Sequence, residues 1–179
     1  MSDDRIVYRD KIESPLGAMV AGASSQGICF LEWHDRGGVD RILERVAKRY
    51  RLPVERGEHP LVERLITELA EYFAGERATF TGPLHIAGTA FEQSVWNQLL
   101  AIPHGETRSY GDLARALGNP GASRAVGRAN GANYISILIP CHRVCDSNGN
   151  LHGYGGGLWR KKRLLELEAG VVQTATEMG

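Results

Sequence analysis

Cys141, His142 and Arg143 stand side by side directly after Pro140, at the end of the apolar run 135–139. A thiol at the mouth of a buried segment, followed by an imidazole and a guanidinium, has the ingredients of a lowered pKa and a reactive thiolate. The competing reading of a single buried cysteine is inert packing. Pro140 weighs toward chemistry, because it prevents regular strand pairing and so places the thiol at a bend. Adjacent side chains on an extended chain point apart, so coupling between Cys141 and His142 is expected to pass through a water molecule. Cys145 completes a C-x3-C pair with Cys141. With no second cysteine pair, and no histidine beside them other than His142 until His152, a closed four-ligand zinc set is not apparent, and no metal is expected.

Glu168 lies near the end of a helix that begins at about Leu158. It falls about 40° from Leu164 and about 60° from Leu165 on the helical wheel, inside an apolar arc. A carboxylate there either reaches out to solvent or is a buried partner for a cation. The run Gly153-Tyr154-Gly155-Gly156-Gly157 offers close backbone approach and open N–H groups, and a plain flexible loop would look the same.

The elements that must position these groups follow from periodicity. Segments Ile6–Ile12, 18–23 and 28–33 are short apolar or alternating runs separated by turn compositions, which predicts a three-stranded antiparallel meander. Helical spacing of Ile42, Val46 and Tyr50, and of Leu61, Leu65 and Leu69, predicts helices over 39–50 and 60–73. These make a small α+β N-terminal unit. Segment 75–88 holds Gly75, Gly82-Pro83 and Gly88, reads as a linker, and places a boundary near residue 87, between units 1–87 and 88–179.

Beyond it, Thr89-Ala90-Phe91-Glu92 is a capping box ahead of Val95, Trp96, Leu99 and Leu100. Ser109-Tyr110-Gly111-Asp112 repeats the signal, and its helix runs to Leu117 before Gly118-Asn119-Pro120-Gly121 breaks it. A third helix over 122–130 follows at once, giving a helix-turn-helix pattern, which also occurs in proteins that touch no nucleic acid. That third helix is slim, with Ala122, Ser123, Ala125 and Gly127 between Arg124, Val126 and Arg128. It could enter a narrow groove or pack closely on a neighbour.

The chain has 179 residues, 42% apolar and 23% charged, within the range of folded globular domains. Lys+Arg 21 against Asp+Glu 21 gives zero net charge, so no global charge points to a polyanionic partner. Resolved by segment, the balance is −2 over 1–87, +3 over 88–170 and −1 from Glu177. Within 108–143 Arg108, Arg115, Arg124, Arg128 and Arg143 face Asp112 alone, a local +4 of arginine, the cation suited to bidentate phosphate contacts. Three cysteines argue against a disulfide framework and for a reducing cytoplasm. No stretch approaches a membrane span, and the charged N-terminus is not signal-like, so neither secretion nor membrane insertion is expected.

Taken together, Ile139-Pro140-Cys141-His142-Arg143-Val144 resembles the active-site signature of the O6-alkylguanine-DNA alkyltransferases, the methylated-DNA–protein-cysteine methyltransferases. The similarity runs from Gly88 to about Gly170 through Gly-Thr-x-Phe, Ile-Pro-x-Gly-Glu, Gly-Asn-Pro-x-Ala-x-Arg-Ala-Val-Gly and Gly-Tyr-x-Gly-Gly-Leu. Ser14-Pro15-Leu16-Gly17 and Leu31-Glu32-Trp33 extend it, less specifically, to the N-terminal part.

The resemblance implies a ribonuclease H-like N-terminal domain, a winged-helix-like C-terminal domain, and double-stranded DNA carrying O6-alkylguanine as partner. It implies minor-groove binding and nucleotide flipping, with Arg124 entering the stack, Tyr110 crowding the phosphate, Ala122, Ser123, Ala125 and Gly127 facing the groove, and Asn119 and Ser147 contacting DNA. It implies a relay in which Glu168 orients His142 and His142 acts through water on Cys141. Tyr110 and the Gly155 N–H would assist the leaving guanine, the Val144 carbonyl would accept from its amino group, and Tyr154 would wall the pocket. Asn133 would tie the recognition helix to the thiol segment, with Tyr134 and Ser136 as pocket-lining positions. It further implies a single irreversible transfer without cofactor, by a cytoplasmic monomer. Cys29 is the only N-terminal cysteine, so no structural zinc is expected. The alternatives are a lesion-binding module, against which Cys141 itself argues because such relatives carry tryptophan there, a DNA-binding regulator alkylated as a signal, and a Cys-His hydrolase.

Overall fold

A computed structural model describes residues 4–151 and 153–170; His152, Glu177 and the rest of 171–179 lie outside the described residues. Strands β1 (Ile6–Ile12), β2 (Met19–Ser24) and β3 (Gly27–Trp33) form the expected antiparallel meander. A further strand, β4 (Val54–Arg56), pairs parallel to β1 and gives the sheet order β3-β2-β1-β4. At three residues β4 is too short to show a period, which is why the pattern missed it.

Helices α1 (Val39–Tyr50) and α2 (Pro60–Phe73) flank β4 in the chain; of the predicted apolar positions Ile42, Val46, Leu65 and Leu69 are buried, Tyr50 and Leu61 are half-buried, and Val62 is buried as well. Pro60 opens α2, where a missing N–H costs nothing, and the His59 ring accepts from Leu61 N–H. Both predicted capping boxes form. Thr89 and Glu92 start α3 (Ala90–Leu100), and Ser109 and Asp112 start α4 (Tyr110–Ala116). A tight turn leads to α5 (Ser123–Gly131), so the helix-turn-helix is present. Two-residue strands β5 (Arg108–Ser109) and β6 (Val144–Cys145) pair in parallel, and α6 (Leu158–Glu168) closes the described chain.

Segment 75–88 is docked rather than a free connection. Ile28 N–H donates to Pro83 O and His85 N–H to Ile28 O, both at 2.9 Å, and Leu84 pairs with Ile28 along the outer edge of β3. Glycine and proline stop a helix there, but Phe80, Leu84 and Ile86 still pack on the core. Farther along the same edge Leu31 N–H donates to Tyr134 O and Ser136 N–H to Leu31 O, again at 2.9 Å. The strand edge of the N-terminal half thereby holds the segment that leads to the thiol. One apolar cluster runs through both halves, from Leu31, Trp33 and Tyr72 to Trp96, Leu99, Ile139 and Leu164.

Candidate active site and nucleic-acid interface

Between α5 and the thiol the chain makes a strained turn. Ile137 adopts φ 71°, a left-handed conformation that costs a β-branched residue about 1–3 kcal/mol. The Asn133 side chain braces the turn from within: its Oδ1 accepts from Ile135 N–H at 2.9 Å and its Nδ2 donates to Ile139 O at 2.9 Å. Burial of Ile135, Ile137 and Ile139 adds the packing that holds it. Pro140 then leads into a single 3-10 turn, Cys141–Arg143, so the thiol does sit at a bend. Asn130, in the last turn of α5, donates to Cys141 O at 3.3 Å. Trp96 Nε1 donates to Ala129 O at 2.8 Å, fixing α5 on α3.

The expected low thiol pKa is corrected. Burial pushes the Cys141 thiol up to about 11, and Asn133, Arg36 and Lys161 offset this only in part. The physical reason is that the neighbouring cation is engaged elsewhere. Arg143 Nε and Nη2 donate to the two Glu168 oxygens at 2.7 and 3.0 Å, and Nη1 donates to Ile102 O. Glu168 is thus the buried partner of a cation. It also accepts from His142 Nε2 at 2.7 Å and from the Tyr72 hydroxyl at 2.6 Å. Burial opposes its charge, yet the hydrogen bonds and charges of His142 and Arg143 hold its carboxyl far below the usual carboxylate range.

His142 is fully buried, and burial lowers its pKa despite the pull of Glu168. A neutral ring facing an ionised carboxylate carries its proton on Nε2, which leaves the Nδ1 lone pair as a base. Nδ1 has no hydrogen-bond partner among the described residues. The side chains of Cys141 and His142 are not bonded directly, since Nε2 is taken by Glu168 and Nδ1 has no partner among the described residues.

Cys141 lies on the wall of a cavity of about 250 Å³ lined also by Arg36, Tyr110, Gly127, Asn130, Gly131, Asn133, Ser136, Gly153, Tyr154 and Gly155. Burial raises the pKa of Tyr110, and raises that of Tyr154 further, so both hydroxyls keep their protons at neutral pH. The Tyr154 hydroxyl accepts from Trp33 Nε1 at 3.3 Å. Val144 has its side chain in the core and its backbone paired with Arg108. Tyr134, expected on the cavity wall, is not there. The Arg36 guanidinium lies 4.2 Å from its ring centre and separates it from the cavity.

Arg36 was not evident from local sequence. It donates to Glu32 Oε2 at 2.6 Å, to Asn133 O at 2.7 Å and to Gly131 O. Glu32, also fully buried, accepts from Ser136 Oγ. Tyr72 and Asn130 were missed for the same reason as Arg36: each reaches the site from a different element.

On α5 the residues Val126, Ala129 and Asn130 are buried, whereas Ala122, Ser123, Ala125 and Gly127 are half-buried and Arg124 is exposed. Asn119 and Ser147 are exposed on neighbouring loops. The slim helix is therefore open enough to meet a groove, with the exposed guanidinium groups of Arg124 and Arg128 projecting from it. Among the described residues no group of three or more His, Cys, Asp or Glu could hold a metal, and no helix is long and apolar enough to cross a membrane.

Residues 7–86 match the family model described as 6-O-methylguanine DNA methyltransferase, ribonuclease-like domain, and residues 90–170 match the DNA binding domain of the same family. A methylated-DNA–protein-cysteine methyltransferase of Mycobacterium leprae is 42% identical over 95% of this chain and 97% of its own. One from Salmonella typhimurium is 44% identical over 90% of this chain and 95% of its own. The crystal structure of Mycobacterium tuberculosis OGT in complex with DNA superposes with a TM-score of 0.80 at 40% identity, covering 96% of this chain and 98% of that one. With both halves matched by models of one family and a relative 42% identical over nearly the whole chain, the chain belongs to the 6-O-methylguanine DNA methyltransferase family.

Proposed function

We propose that this protein repairs O6-alkylguanine in duplex DNA, and O4-alkylthymine more weakly, by moving the alkyl group onto Cys141, once per molecule. The observation that carries the reading is a cavity-wall thiol at Cys141 followed in the chain by the His142 ring, whose Nε2 is fixed on Glu168 and whose Nδ1 has no hydrogen-bond partner among the described residues. A thiol held up near 11 is protonated at neutral pH and needs a base. His142 Nδ1 takes the Cys141 proton through one water, and the resulting imidazolium is stabilised by Glu168. The thiolate attacks the alkyl carbon in line, the S–C bond forms, the C–O6 bond breaks and its electron pair leaves with guanine. The protonated Tyr110 hydroxyl supplies hydrogen-bond stabilisation to the base at N3, and the Gly155 N–H does so near O6. The Val144 carbonyl takes the guanine amino group and Tyr154 bounds the pocket. The thioether has no good leaving group, so the cycle ends there, without cofactor.

In this reading residues 88–179 carry DNA binding and transfer, and 1–87 brace them. Ala122, Ser123, Ala125 and Gly127 meet the minor groove, Arg124 fills the place of the flipped nucleotide, and Asn119 and Ser147 contact DNA. Three free cysteines support a reducing, cytoplasmic setting. Intact mass after incubation with a duplex carrying O6-methylguanine tests the proposal. We expect one methylene mass added, mapped to Cys141 and absent in Cys141→Ala; an unmodified protein, or repeated turnover, would overturn it.

A further inference from the structure

A second concave surface lies on the other side of Arg36 from the thiol cavity. It is a groove of about 900 Å³ between α1 and the start of α3, and Arg36, Arg45, Lys48, Arg49 and Arg51 line it. Its only acidic lining residue among those described is Glu92, whose carboxylate is already engaged by Thr89 N–H in the α3 capping box; the acids of α1, Asp40 and Glu44, do not line it. This concentration of cations occurs in the half of the chain whose net charge is −2.

The guanidinium groups are held in place rather than left to wander. Arg45 Nη1 donates to the Tyr134 hydroxyl at 2.7 Å, and Arg49 lies over the rings of Trp96 and Tyr134 at 5.8 and 5.2 Å. Lys48 and Arg51 are exposed. The groove also meets the end of α5 at Gly131 and Ala132. From Ser123 to Gly131 the helix rises about 12 Å at 1.5 Å per residue. On one DNA strand, at about 3.4 Å of axial rise per phosphate, that is a reach of roughly three to four nucleotides.

We propose that this groove is a second, sequence-independent DNA site, in which the N-terminal half holds the sugar-phosphate backbone of the duplex a few nucleotides from the flipped base. Four of the five cations are arginine, whose fork matches phosphate, and the groove shares Arg36 and Gly131 as lining residues with the thiol cavity. These features favour nucleic acid over an acidic protein surface. The inference rests on the transfer reading above and adds the N-terminal half to the binding footprint.

The test is the salt dependence of binding to an undamaged duplex by the full chain, with Lys48→Gln/Arg51→Gln compared with Arg5→Gln/Arg64→Gln, which removes the same charge outside the groove. With about 0.9 in logarithmic slope per phosphate contact, the groove variant should lose about 2 from its slope. Between about 50 and 200 mM salt its affinity then falls roughly tenfold less than that of the wild type. The control variant should run parallel to the wild type, and reaction of the groove variant with free O6-benzylguanine should stay within about twofold. Should that reaction fall, the single variants carry the test, each with a slope lower by about 0.9. A slope parallel to the wild type, or an equal drop in the control, overturns the groove. A wild-type chain that takes no methyl from O6-methylguanine DNA overturns instead the reading beneath it.

Discussion

Two buried carboxylates approach the thiol segment, and their surroundings shift their pKa values in opposite directions. Glu168 meets a two-pronged arginine, an imidazole and a phenol, and its pKa falls. Glu32 meets one arginine nitrogen, a serine hydroxyl and the Trp33 N–H, and its complete burial wins, so its pKa rises. Charge-assisted donors are about twice as strong as neutral ones, and their number decides whether burial can be offset. The consequence differs too. Glu168 sets the tautomer of the His142 ring, whereas negative charge on Glu32 would work against a Cys141 thiolate.

The sharpest way to break this contrast is Glu168→Gln. It leaves Arg143 buried without its counter-charge, at a cost of about 3–5 kcal/mol in urea unfolding. It also removes the orientation of His142, so single-turnover transfer should slow by roughly 10²–10⁴-fold. An active, stable variant would deny Glu168 its role. Glu32→Gln should be milder, since Ser136 and Arg36 can still bond the amide oxygen: about 1–3 kcal/mol, with transfer within tenfold. The Cys141 titration, followed by alkylation rate against pH, should move down in that variant because a raising charge is gone; an upward move would refute the contrast.

Acid offers a third test. The pKa of folded His142 lies below its ordinary value, so burying it neutral costs nothing above about pH 6.5 and begins to cost stability below that. Transfer should hold level through neutrality and fall only below about pH 6.5, as the base protonates. Glu168 is depressed in the folded state, so its contribution is complete above about pH 4.3 and disappears as pH falls toward its folded value. Tyr72→Phe should give the smallest effect, about 0.5–1.5 kcal/mol with transfer changed only a few-fold, since Arg143 and His142 still hold the carboxylate.

The thiol, the imidazole and the order of the helices were legible because each is written locally, in a six-residue motif, a capping box or a 3.6-residue period. Glu168 was legible as an anomaly, a carboxylate on an apolar arc. Tyr72, Arg36 and Glu32 were not, because they reach the thiol segment from the N-terminal half through contacts that no spacing encodes. The thiol pKa went the wrong way for a related reason. Proximity in sequence assigned Arg143 to Cys141, whereas in space the carboxylate on α6 claims it. Tyr134 was misplaced because Arg36, more than ninety residues earlier, lies between its ring and the cavity. The docking of 75–88 was hidden because glycine and proline signal where helices stop and say little about extended pairing.

The stitched edge of β3 has a bearing on solubility. An open strand edge is a template for another chain, and β3, apolar and seven residues long, would be a strong one. Pro83 O and His85 N–H take up the outward groups of Ile28, and Tyr134 O and Ser136 N–H those of Leu31. At the opposite side of the sheet β4 is only three residues long and displays Glu55 and Arg56. Short length and charge are the means by which sheet edges resist fibril-like addition. The same two crossings that fix the reactive thiol in place thus protect the chain from self-association through its sheet.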